Sequence, residues 1–208
     1  MYQRVALEVR CLQIWQRTYA TGIGGAVMSA VSRLLIDRTA TPIGELIVVA
    51  DEDGALRAID WTDHEDRLHR LLRLHHPGGY ELRLSRDPGG FTRAMDAYFA
   101  GELAVIDRLP VRTGGTPFQR AVWAALRGIP CGGTVSYREL AVLAGRPAAV
   151  RAAGHANGAN PVGIVVPCHR VIGSDGTLTG YGGGMERKRW LLAHEGAFRP
   201  DRPFGLFH

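Results

Sequence analysis

The residues with the clearest chemical potential lie in the run Ile164-Val165-Val166-Pro167-Cys168-His169-Arg170-Val171-Ile172, where a thiol sits between two apolar, strand-like segments. A lone cysteine in an apolar run is most often packing, a small and inert hydrophobe. Reactivity requires the thiolate, and because the unperturbed thiol pKa is about 8.5, a base or a cation must stand beside it at neutral pH. His169 and Arg170 are the groups at hand. An imidazole used as a base also needs a carboxylate from elsewhere to orient it.

The surroundings of this run are electropositive. The chain carries 25 Lys+Arg against 20 Asp+Glu, a net charge of +5, and Lys188 is its single lysine. Between Pro117 and Glu195 there are nine basic and four acidic residues, so the whole excess lies in that stretch, and from Glu139 to Asp175 no acid intervenes. Such a surface suits a polyanion. Within it, Arg138 to Ala144 and Ala148 to Ala156 read as two short helices joined at Gly145-Arg146-Pro147, a helix-turn-helix pattern. The pattern alone more often marks an ordinary helical hairpin; Arg146 and Arg151, with no acid near, favour DNA.

These residues need elements to position them. With 208 residues, 46% hydrophobic and 22% charged, the chain is long enough to bury a core and is neither disordered nor fibrous in composition. Cys11, Cys131 and Cys168 form no CxxC, so neither a disulfide scaffold nor a cysteine zinc site is expected. No window approaches the roughly 18 apolar residues of a membrane span. Arg4, Glu8, Arg10 and Arg17 interrupt any secretory leader, which predicts a cytoplasmic protein. Residues 1–33 read as an N-terminal extension. From 34 to 108 the sequence predicts an α+β unit: strands Leu34 to Arg38, Glu45 to Ala50 and Leu56 to Trp61 in an antiparallel meander, then helices over Asp63 to His75 and Asp87 to Ala100. Residues 109–116, with Pro110, Gly114 and Gly115, read as a linker, 117–196 as a second, mainly helical unit, and 197–208 as a tail.

Pro167-Cys168-His169-Arg170-Val171-Ile172 closely resembles the acceptor motif of the 6-O-alkylguanine-DNA alkyltransferases, or methylated-DNA protein-cysteine methyltransferases. The resemblance extends in order and spacing through Phe118-Gln119, Val135-Ser136-Tyr137, Arg151-Ala152, Asn160-Pro161, Gly180-Tyr181 and Leu191 to Gly196. It implies a ribonuclease-H-like α+β domain followed by a winged helix-turn-helix-like domain. It also implies direct-reversal repair, an irreversible single-turnover transfer of the alkyl group from 6-O-alkylguanine to Cys168 after nucleotide flipping, with 4-O-alkylthymine left open as a second substrate.

By the same resemblance His169 is the general base acting through a water, Glu195 its orienting carboxylate, and Asn160 the brace of the cysteine turn. Tyr137 bonds the flipped base and helps protonate the leaving guanine. Arg151 enters the base stack, and Ser136, Ala152 and Arg170 join it at the DNA. Tyr181, Gly182 and the backbone at Val171 form the pocket. On residue types alone, Glu195 reads instead as a solvated acid near a helix end. His155 departs from the small or apolar residue usual at that point of the recognition helix. His64, His69, His75 and His76 read as a solvated helix face and not a metal site, so no metal and no cofactor is expected. The expected partner is double-stranded DNA carrying alkylated guanine, with no membrane and a monomer as the acting species, clustering on DNA being left open. Three other readings remain: a non-catalytic damage-recognition protein of the alkyltransferase-like kind, a Cys-His hydrolase, and a helix-turn-helix regulator. Stoichiometry separates hydrolase from transferase, since a thioether does not hydrolyse.

Overall fold

The structure, a computed structural model, describes residues 31–197. The expected extension, Cys11 included, and the expected tail fall almost wholly outside the described residues. Three strands, β1 (Ser32–Thr41), β2 (Gly44–Asp51) and β3 (Leu56–Trp61), form the antiparallel meander read from the sequence. A fourth strand, β4 (Tyr80–Leu84), was not anticipated. It lies parallel to β1 at the sheet edge, giving the order β3-β2-β1-β4; its five residues alternate apolar and polar, Tyr80 and Leu82 packing on the cluster that holds Leu68 and Leu72 while Leu84 stays exposed.

β2 is the central element, and from Leu46 to Asp51 every residue is buried. Leu46, Val48 and Ala50 face one side and Ile47 and Val49 the other, so the strand has two apolar faces and reads as a continuous hydrophobic run. Helix α1 (Glu65–His75) covers one face with Leu68 and Leu72, spaced one helical turn apart. The other face meets α2 (Phe91–Phe99), through Phe91, Met95 and Tyr98, and also the C-terminal half. Sheet and helices thus share one hydrophobic cluster that extends to Val122, Trp123, Leu126, Val165 and Leu191.

The histidines of α1 correct the sequence reading. His76 is buried and bonds Ser32, His75 stacks on Trp123, and His69 bonds Tyr80, so this is not a solvated face. The apolar residues flanking a histidine were too sparse in sequence to reveal partners that arrive from other elements.

Residues 109–116 run along β3: Leu56 N–H donates to Pro110 O at 2.8 Å and Arg112 N–H to Leu56 O at 2.9 Å. Next comes α3 (Pro117–Arg127), started by a reciprocal cap between Thr116 and Gln119 with proline in the first turn. Its Trp123 indole donates to Ala156 O at 2.8 Å. A two-residue strand, β5 (Val135–Ser136), leads directly into α4 (Tyr137–Leu143), where Ser136 and Glu139 cap each other's backbone. Helix α5 (Val150–Gly158) completes the helix-turn-helix, β6 (Val171–Ile172) pairs in parallel with β5, and α6 (Met185–His194) closes the half. Among the described residues no helix is long and apolar enough to cross a membrane.

Because both halves contribute to one core, they should unfold together. Trp123→Ala, which empties a site between α1, α3 and α5, is expected to cost about 3–5 kcal/mol. Urea denaturation followed by far-UV circular dichroism should show a single transition at lower midpoint; two separated transitions in the parent protein would contradict the shared core.

Candidate functional site

The run around Cys168 is not two strands flanking a cysteine. Val162 bridges to β3, residues 163–165 form a turn, Cys168–Arg170 a single 3-10 turn, and only Val171–Ile172 is strand. Ile164 is held at φ 70°, a left-handed conformation that a β-branched residue adopts only under constraint. The constraint is visible. Asn160 Nδ2 donates to Val166 O at 2.7 Å while its Oδ1 accepts from Val162 N–H at 3.0 Å, so one buried amide ties both ends of the turn. Asn157 Nδ2 reaches Cys168 O at 3.4 Å.

Cys168 is only 8% exposed. Burial pushes its thiol upward, and the Asn160 side chain, Arg67 and Lys188 oppose that rise. Beside it His169 is fully buried, with Nε2 3.0 Å from Glu195 Oε1. Glu195 is itself buried, contrary to its reading as a solvated acid. Its Oε1 also accepts from Tyr98 O–H at 2.7 Å and Arg170 Nη2 at 2.8 Å, and its Oε2 accepts from Arg170 Nε at 2.7 Å. Burial alone would raise this carboxyl, but His169 and Arg170 hold it well below the usual carboxylate range. Burial likewise lowers His169 against the pull of Glu195, so the imidazole is neutral at pH 7.

A carboxylate can only accept, which puts the single imidazole proton on Nε2 and leaves the Nδ1 lone pair free. Nδ1 is buried and bonds no protein group. The ring is therefore fixed in the tautomer that can take a proton at Nδ1.

Arg170, expected at the DNA, is buried instead. Its guanidinium is committed to Glu195, to Ile129 O and to Cys131 Sγ, because the carboxylate would otherwise stand uncompensated in the interior. Ser136 is also buried, its hydroxyl accepting from Glu139 N–H at 3.2 Å as a helix cap, and so does not present its side chain to a partner. Tyr137 is half-buried; its hydroxyl accepts from Thr179 Oγ1 at 3.2 Å, which leaves its own proton available. The β5–β6 register, Val135 opposite Val171 and Ser136 opposite Ile172, brings Tyr137 beside the end of the cysteine segment. Tyr181 stands edge-on to His169 with centroids 6.4 Å apart.

Arg151, Ala152 and His155 are exposed on α5, while Ala153, Ala156 and Asn157 face inward. A groove of about 660 Å³ runs along this helix, lined by Tyr137, Arg151, Gly154 and His155 with Arg70 and Leu74 from α1.

Three site residues escaped the sequence reading. Tyr98 lies on the apolar stripe of α2 and is indistinguishable there from core. Arg67 belongs to the other half of the chain. Lys188 left a signal: it is the single lysine and shares a helical face with the buried Leu191 and Leu192. Its ammonium donates to Val171 O at 2.6 Å and Thr179 O at 2.7 Å, and burial pushes it down to about 8.

Residues 117–197 match a family model described as 6-O-methylguanine DNA methyltransferase, DNA binding domain, and residues 35–113 its ribonuclease-like domain. A methylated-DNA–protein-cysteine methyltransferase of Salmonella typhimurium is 59% identical over 165 residues, covering 79% of this chain and 96% of its own length. One from Mycolicibacterium paratuberculosis is 44% identical over 160 residues, covering 77% and 91%. Among solved structures, the O6-methylguanine methyltransferase of Mycobacterium tuberculosis superposes with TM-score 0.65 at 38% identity, covering 81% of this chain and 96% of that one. Mycobacterium tuberculosis OGT in complex with DNA gives 0.62 at 40% identity, covering 79% and 92%.

The buried carboxylate predicts a pH dependence. Glu195 is depressed in the folded state, so its stabilisation is complete above the ordinary carboxyl range and is lost as pH falls through the folded value. Glu195→Gln leaves Arg170 buried without a counter-charge and is expected to cost about 3–5 kcal/mol at pH 7. Urea titrations between pH 3 and 8 should show the gap between parent and variant constant from pH 6 to 8 and narrowing in acid. A gap independent of pH would contradict the assignment.

Proposed function

Because the chain belongs to the 6-O-methylguanine DNA methyltransferase family, whose members carry out direct-reversal repair by moving an alkyl group from DNA to a protein cysteine, we propose that Cys168 is the acceptor thiol. The observation that carries this reading is the buried series Cys168, His169, Glu195, with the free lone pair of His169 aimed away from its carboxylate. The Cys168 thiol gives its proton to His169 Nδ1 through a water, and Glu195 stabilises the imidazolium that results. The thiolate then attacks the alkyl carbon in line with the bond to guanine O6. A carbon–sulfur bond forms as the carbon–oxygen bond breaks, the electron pair leaves with the base, and Tyr137 supplies a proton to it. The product is a thioether, so each chain acts once.

A raised thiol is suited to this task. Burial keeps Cys168 from ionising at rest, and a base locked in the correct tautomer lets the proton depart when an alkyl group is in place.

DNA is the partner, and alkylated guanine within it is the substrate we infer. The lesion lies inside a duplex stack, so the nucleotide must be turned out into the pocket at a cost of a few kcal/mol. Exposed Arg151, on a helix whose neighbours Ala152 and Gly154 are small, supports a role as the side chain that takes the vacated place. Tyr181, Gly182 and the Val171 backbone serve as pocket walls. Residues 34–108 and 117–196 act as two units joined by 109–116. The acceptor, its base and Arg151 come from one chain, which supports a monomer as the acting species, and an activity on DNA supports a cytoplasmic location.

With a duplex carrying methyl-labelled 6-O-methylguanine, the parent should take up one equivalent of label on Cys168, and Cys168→Ala none while still binding the lesion. Label found on Cys131 by peptide mass spectrometry would overturn the assignment.

Arg151→Ala should slow repair of the paired lesion by at least about tenfold, because unstacking goes unassisted, and leave transfer from free 6-O-benzylguanine near the parent rate. Equal losses on both would place Arg151 in the chemistry or the fold.

A further inference from the structure

The N-terminal half reaches the acceptor site through the edge of β3. Ile59 N–H donates to Pro161 O at 2.9 Å and Ile59 bridges Val162, so the strand is laced to the residues that open the cysteine turn. The next residue, Asp60, is 2% exposed; its Oδ1 accepts from Trp61 N–H at 2.9 Å and from Arg67 Nη2 at 2.7 Å. Held in this way, the Arg67 guanidinium lies against the pocket loop. A Cβ placed on Gly182 would fall 1.7 Å from Arg67 Nη1, and one on Gly183 2.6 Å from Trp61 Nε1. Neither glycine has a positive φ, so what excludes a side chain at both is close approach by the other half and not backbone conformation. From the opposite side Arg187 stacks over Trp61 at 4.5 Å and donates to Gly183 O at 3.0 Å.

We propose that Arg67, held by Asp60, is a positioning residue of the acceptor site, fixing the Tyr181–Gly183 loop and supplying positive charge to the surroundings of Cys168. The proposal rests on Cys168 as the acceptor. The charged and titratable groups about the thiol are Arg67 from α1 with its partner Asp60 on β3, Lys188 from α6, His169 from the turn and Tyr181 from the loop. His169 is neutral, and the charge of neighbouring Arg170 is spent on Glu195. Of the cations that oppose the upward push of burial on Cys168, Arg67 acts most strongly and Lys188 next.

The test measures alkylation of Cys168 by iodoacetamide from pH 6 to 10, read by peptide mass spectrometry, beside transfer from free 6-O-benzylguanine and affinity for undamaged duplex. Arg67→Met should move the alkylation midpoint up by about one pH unit and lower the neutral-pH rate about tenfold, with duplex affinity unchanged. Arg67→Lys, which keeps the charge, should restore the midpoint. If Arg67→Met fails to fold by circular dichroism, Asp60→Asn decides: removing the compensating carboxylate should move the midpoint down. An unmoved midpoint in Arg67→Met, or in Asp60→Asn where that variant decides, overturns the proposal, as does loss of duplex affinity with the parent midpoint. A parent that takes no labelled methyl group on Cys168 from the 6-O-methylguanine duplex refutes the acceptor assignment instead, and the iodoacetamide arm still reports on Arg67.

Discussion

The carboxylate of Glu195 is placed where an isolated charge would be costly, and the site is arranged around meeting that cost. Four donors converge on its two oxygens: Tyr98 from α2, His169 and both contributing nitrogens of Arg170 from the cysteine turn. Each of these groups would be a liability in the interior without the carboxylate. Together they fix the ring orientation of His169 and, through Arg170, anchor the cysteine turn to Ile129 and Cys131. The geometry of the nucleophile is thus specified by polar satisfaction as much as by apolar packing.

That network also binds the halves of the chain. Tyr98 belongs to the sheet-bearing half and Glu195 follows the final helix, so one hydrogen bond of 2.7 Å spans 97 positions in sequence. The β3 edge does the same at backbone level, accepting and donating to residues 110 and 112 at one end and bonding residue 161 at the other. The ribonuclease-like half thus fixes where the turn carrying Cys168 begins.

How much of this could be read beforehand depended on whether a residue's partner was local. The meander from Leu34 to Trp61 was legible because its turns, Thr41 to Gly44 and Asp51 to Gly54, are marked by proline and glycine and its strands by β-branched runs. Helix α1 was legible from Leu68, Leu71 and Leu72. β4 was not: Tyr80, Leu82 and Leu84 alternate with Glu81 and Arg83, but the run is only five residues long and is defined as a strand by its pairing with β1. At the candidate site, Cys168, His169, Asn160 and Tyr137 were named through motif resemblance, while Arg170 and Ser136, assigned to DNA, are internal. Both errors share a cause: an arginine or a serine has the same appearance in sequence whether it faces solvent or completes a buried partner, and the partners here, Glu195 and the α4 backbone, emerge only on folding.

The chemistry gives a reason for such extensive internal bonding. In the reaction proposed for it Cys168 acts once, so the site needs no path for regenerating the thiol and has only to keep the sulfur unreacted until the right carbon arrives. Burial accomplishes the first part by favouring the neutral thiol, but it would also disable the site if nothing opposed it. The opposition comes from groups that are themselves held by other parts of the fold: Asn160 by the backbone of its own turn, Lys188 by two carbonyls, Arg67 by Asp60 on β3. None is free to swing away. A cation on a flexible surface side chain would be screened by salt and solvent, whereas one anchored within the wall acts at constant strength. The thiol is therefore set between two opposed and equally rigid influences, and the loop of glycines lets the anchored groups come close enough for the balance to hold.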